Sequence, residues 1–278
     1  MITKINNQLP ISTPNFKANI SSPVLRYTNE DFFISIRGYG KNTEWAKTIK
    51  QTADTAVNLT RKKCGFDNII RFITAGVIKA NNLLLDRNKK CHTGILRTER
   101  EGYKYGSDWN WSNGFLVTGY ENISKYKTYK SRLDQTIQNS LKKPYQNMDL
   151  TVPVKSDSGN FLKHGDSEKV NSSLNIVKEL FDKLIEKYDP AKVTEKDLAN
   201  INNTIAEIRW IMAHSTPWER GSDAISNVFM RVLYKTFGIK TYPSAKGISF
   251  DMEAFCTNLN EYKQNFPNFF VKPPSVIE

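Results

Sequence analysis

The sequence predicts a mainly helical protein with a small β component, α+β overall. Three observations carry that expectation. Apolar residues recur at i, i+3 and i+4 through the second half of the chain. Between residues 86 and 126 glycines and aromatics replace that rhythm, as turns and short strands require. Hydrophobic residues make up 39% and aromatics 12% of the 278 residues, enough for a packed core.

Residues 1–22 are polar, rich in Asn, Ser, Thr and Pro, and lack the apolar core of a cleavable secretory signal. They read as a disordered leader. Leaders of this composition also occur on bacterial proteins injected into host cells. The expected location is therefore the cytoplasm, or a host reached without a cleavable signal peptide.

Residues 23–150 read as a basic α+β region. Asp31–Gly40 has the pattern of a short strand ending in a glycine turn. Trp45, Ile49, Ala53, Ala56 and Val57 predict a helix over 42–60, and Ile69, Phe72, Ile73, Val77, Ala80 and Leu84 another over 68–85. Gly114–Tyr120 is the best strand candidate. A basic helix is expected over 123–141. Pro144, Pro153, Gly159 and Gly165 mark 143–166 as a linker or mobile loop, with a domain boundary near residue 150.

Residues 151–278 read as a helical region. Leu174, Val177, Phe181, Leu184 and Tyr188 predict a helix over 173–188 that Asp189-Pro190 ends. Thr194 and Asp197 form a near capping box before a helix carrying Leu198, Ile201, Ile205, Ile208 and Met212. After Gly221 the apolar residues Ile225, Val228, Phe229, Val232 and Leu233 cover more than one face, so that helix is expected to be central, with Gly238 capping it. A last helix is expected over 251–264, before a Pro-rich tail.

The net charge of +12 is unevenly spread: 24 Lys+Arg against 11 Asp+Glu up to Lys143, then 16 against 17. Such asymmetry favours an acidic partner, whether protein, nucleic acid or anionic membrane, touching residues 41–143. Lysine-rich surfaces also serve solubility alone. No run of apolar residues is long enough for a transmembrane helix. Cys64, Cys91 and Cys256 are scattered and odd in number, which points to a reducing compartment and no disulfide scaffold. Cys91-His92 has no ligand-spaced company, so no residue is assigned to a metal.

The densest chemistry lies in 205–239: an apolar helix, the loop Thr216-Pro217-Trp218-Glu219-Arg220-Gly221, and a second helix opening at Ser222. A helix opening presents unpaired N–H groups and positive dipole, and Arg220 adds charge, so the loop is a candidate phosphate site. This stretch resembles the core of the Fic family of AMP-transferases. Pro217-Trp218 matches its Pro-Phe, Gly221 its glycine, and residues 227–233 its following apolar helix. Thr216 stands at the catalytic histidine position, with His214 two residues earlier. Arg220 stands at the metal-binding acid, Ser222-Asp223 at the Asn-Gly pair, and Ala224 and Asn227 at the two arginines.

The resemblance implies a Fic-like protein that binds ATP or another nucleotide, with or without Mg, and modifies a protein partner, as a secreted bacterial effector would. His214 and Thr216 would then hold the catalytic positions, and Arg220, Gly221, Ser222, Asp223 and Lys246 would bind phosphate. A plain helical hairpin needs the same Pro, Gly and Ser. The rival from another class is a non-catalytic basic module docking an acidic partner.

Other features compete less well. Phe33–Gly38 with Arg37, and Glu99-Arg100-Glu101, resemble motifs of mono-ADP-ribosyltransferases. Tyr103, Tyr105, Trp109 and Trp111 among basic residues suit a nucleic-acid strand or a small irregular core. Asp251 and Glu253 are expected to offset a helix dipole.

Overall fold

In a computed structural model, residues 28–32, 42–83, 93–99, 109–110, 123–157, 159–245 and 247–277 are described. Among them 65% are helical and 8% lie in strands, the mainly helical architecture that the apolar periodicity predicts. Helix α1 (Thr43–Arg61) opens where the Asn42 side chain accepts the Trp45 N–H at 2.8 Å, and it buries Trp45, Ala46, Ile49, Ala53, Ala56 and Val57. Helix α2 (Phe66–Asn82) follows Gly65 at φ +78° and packs on α1. The crossing is close: a Cβ at Gly76 would fall 2.3 Å from the Thr52 side chain.

Strand β1 (Trp109–Asn110), helix α3 (Ile123–Asn139), and strands β2 (Val152–Ser156) and β3 (Gly159–Lys163) come next. The antiparallel sheet runs β1-β3-β2, with Trp109 opposite Leu162 and Leu162 opposite Pro153. Helix α4 (Val170–Lys187) leads to α5 (Glu195–Ser215), which starts at the Thr194/Asp197 capping box. Helix α6 (Ser222–Thr236), strand β4 (Ile239–Lys240), helices α7 (Phe250–Cys256) and α8 (Leu259–Asn265), and strand β5 (Ser275–Val276) complete the chain, with β5 paired to β4.

Helix α6 is buried nearly all round, packing on α1, α2 and α5, while α5 also meets α4, α7 and α8. Phe66 on α2, Phe181 on α4 and Phe229 on α6 stack within 5.9 Å of one another, so the core crosses residue 150.

Three expectations are corrected. Asn29–Phe32 is a 3-10 turn rather than the start of a strand, and residues 33–40, like the 114–120 candidate, lie outside the described residues. The expected linker 143–166 contains the β2–β3 hairpin and buries Met148, Leu150 and Thr151. The last helix breaks at Thr257, whose carbonyl accepts the Trp210 indole N–H at 3.0 Å instead of continuing a helix.

Candidate functional site

The loop between α5 and α6 is closed from outside by residues 93–97. Arg97 N–H donates to Pro217 O (2.9 Å), Glu219 N–H to Ile95 O (2.9 Å) and Gly94 N–H to Arg220 O (3.1 Å). The Arg97 side chain, 1% exposed, then caps the carboxyl end of α5. Its Nε donates to Thr216 O and its Nη2 to Ser215 O, both at 2.7 Å, and its Nη1 to Gly165 O at 2.9 Å. The last carbonyls of a helix lack internal partners and carry partial negative charge, which a buried guanidinium answers.

Within the loop Gly221 has φ +89°, and a Cβ there would lie 2.8 Å from Thr93 Cγ2. The Ser222 hydroxyl turns back on the loop, accepting the Trp218 N–H at 3.0 Å and donating to Trp218 O at 2.9 Å. Thr216, in the left-handed region at φ 37°, has a buried Oγ1 with no hydrogen-bond partner among the described residues. The Arg220 side chain is exposed and makes no ion pair there. Lys246 lies outside the described residues.

His214 is fully buried on the far side of its helix end. Its Nδ1 faces Thr151 O and its Nε2 faces Ala254 O, each at 3.0 Å, and its ring packs on Trp210 and Phe255. Burial pushes its pKa down to about 4, against the pull of the two carbonyls. A neutral ring carries one N–H, so one of these two carbonyls accepts its hydrogen bond, while packing on Trp210 and Phe255 holds the ring in place.

The structure draws one of the predicted residues, Asp223, into a titratable cluster that sequence reasoning missed. Arg209 on α5, 1% exposed, pairs with Asp223 at the start of α6 and, at 2.5 Å, with Asp251 at the start of α7. Its guanidinium also lies 5.6 Å from the centre of the Phe250 ring. The Asp223 side chain keeps about a third of its surface, 32%, open to solvent. Burial and then the neighbouring Asp251 carboxylate raise the pKa of Asp223, against the opposing pull of Arg209. Asn227, one turn along α6, has a buried Oδ1 with no partner among the described residues, and Arg209 Nε is likewise unpaired there.

Helix α7 is itself held. Glu253 accepts from Tyr129 Oη at 2.6 Å and from both Arg132 nitrogens at 2.9 and 2.8 Å, and Tyr129 Oη accepts the Ser249 N–H at 3.1 Å. Asp251 and Glu253 therefore do more than offset a dipole: each answers a specific arginine. Among the described residues no group of three His, Cys, Asp or Glu side chains is placed to hold a metal ion. Of the other motifs, Arg37, Arg100, Glu101, Tyr103, Tyr105 and Trp111 lie outside the described residues.

The sequence profile of the AvrB_AvrC avirulence proteins matches residues 43–273, and no Fic profile matches. The Fic assignment is thereby corrected. What suggested it was a helix–loop–helix frame with Pro, Gly and an apolar second helix, which any tight buried helical pair shares. No curated protein matches the chain.

Proposed function

The chain belongs to the AvrB_AvrC avirulence protein family, and from that premise we propose that it is a bacterial effector acting on a host protein through the Asp223–Arg209–Asp251 cluster. No helix among the described residues is long and apolar enough to cross a membrane. The observation that carries the reading is the partly open Asp223 carboxylate, raised in pKa beside a second carboxylate across a buried guanidinium. A carboxyl group so placed keeps its proton to higher pH than an ordinary aspartate does. Asp251 stays on Arg209 and steadies the charge as Asp223 gives up or takes its proton. What the cluster supplies is a proton given to or taken from a polar side chain of the target.

The experiment compares wild type with Asp223→Asn and Asp251→Asn, produced in host tissue, scoring the host response and mass changes on host proteins. Loss of both readouts by roughly 100-fold or more is expected for Asp223→Asn, with a cooperative melt retained. Full activity of a folded Asp223→Asn protein removes this reading and leaves the triad as scaffold.

A further inference from the structure

We infer that the groove between the 145–147 turn and helix α4 is a docking site for an extended, lysine- or arginine-bearing peptide segment of the protein partner. It rests on the reading that this chain acts on a protein, but not on the carboxylate pair. The groove, of about 320 Å³, has two fixed walls. Tyr145 Oη donates to Glu207 at 2.5 Å, Glu207 is held at 2.8 Å by Lys263, and Met148 is buried beneath the turn. The other wall is a stripe of α4 at i, i+3, i+4 and i+7, namely Ser172, Asn175, Ile176 and Glu179, beside the helix's buried stripe.

Three things identify the ligand. Gln146, Asn147 and Asn175 bring primary amides from both walls, and among the described residues none has a hydrogen-bond partner. Each offers one acceptor and two donors, the complement of a peptide main chain. The lining holds no Lys, Arg or His, so nothing there favours a phosphate or an acidic segment. Its one charged group is Glu179, which has no ion-pair partner among the described residues and selects a cationic side chain. Ile176 and the Tyr145 ring leave a small apolar strip for the stem of that side chain. Glu207 and Arg209 are two residues apart on α5 and so point to different faces, which separates this groove from the carboxylate pair.

Fluorescence anisotropy with labelled Gly-Ser-Lys-Ser-Gly and Gly-Ser-Glu-Ser-Gly peptides tests the inference on the full chain. The lysine peptide is expected to bind at least 10-fold more tightly. Glu179→Gln should remove that preference, and Asn147→Ala with Asn175→Ala should weaken both peptides. These are exposed or half-exposed positions, so folding is spared. Asp223→Asn should leave peptide binding unchanged, which keeps this outcome distinct from the fate of the proposed reactive centre. Equal binding of the two peptides, a Glu179→Gln protein that still prefers lysine, no binding at all, or full competition by a neutral disaccharide each overturns it.

Discussion

Arg97 shows how much one side chain can decide. Its guanidinium fills three main-chain carbonyls at once, and a lysine ammonium cannot reproduce that planar fork. Arg97→Lys should therefore lose about 3 kcal/mol, read as a lower urea midpoint. His214 gives a pH signature. Because its folded pKa is depressed to about 4 from 6.5, the unfolded chain takes up the proton first as pH falls. Stability from this site is fully present above pH 6.5 and declines down to pH 4, on the order of 3 kcal/mol in all. His164, also lowered to about 4 by burial and by Arg97, adds in the same direction. His214→Gln should flatten the slope of melting temperature between pH 6.5 and 4; an unchanged slope would assign it to other groups. Some of this was legible. A cation inside Ile-Ala-Glu-Ile-Arg-Trp-Ile-Met, as Arg209 is, has to find acids once the helix is buried. Which acids could not be read, since Asp223 and Asp251 arrive from two other elements.

At the scale of elements, α1, α2, α4 and α5 were readable because each carries an apolar stripe that must face a neighbour, and α6 because its apolar residues cover more than one face, as a central helix requires. The β2–β3 hairpin was not. Its strands are five residues long, and Pro153, Lys155 and Gly159 look like loop residues until the antiparallel partner is known. The α5–α6 turn was located correctly, yet its closure by residues 93–97 is a long-range pairing that no local pattern announces. That closure makes Gly221 a sharp test. An added Cβ meets Thr93 and the backbone sits at φ +89°, so Gly221→Ala should destabilise by about 1–3 kcal/mol and speed amide exchange in 93–97 as well as in the loop. Helix α7, only seven residues long, depends on Glu253 in the same way. Tyr129→Phe removes the hydroxyl that joins Glu253 to the Ser249 N–H, and faster exchange confined to 249–256 is the expected result.

For the molecule as a whole, the question is whether the basic first half and the helical second half stand apart. Charge divides them, since the whole excess lies in the residues up to Lys143. Packing joins them. Helix α6 sits against α1 and α2, and the Phe66 ring lies 5.8 Å from Phe181 and 5.7 Å from Phe229. Arg61 on α1 donates to the Lys235 and Thr236 carbonyls at the end of α6, and Lys235 pairs with Asp54. Cutting the chain at residue 150 would strip α1 and α2 from α6 and uncover side chains such as Phe229, at about 1.5–3 kcal/mol of lost burial for each large one. A domain's net stability is only about 5–15 kcal/mol, so uncovering a few such side chains takes up much of it. A protein spanning 151–278 should then keep helical far-ultraviolet dichroism but lose its near-ultraviolet signal, bind a hydrophobic dye and melt without a cooperative transition. Adding residues 42–83 as a separate chain should restore the transition if those faces are what is missing. A fragment that melts cooperatively alone would instead make the boundary near residue 150 a true domain junction, with α1 and α2 docked onto a finished core.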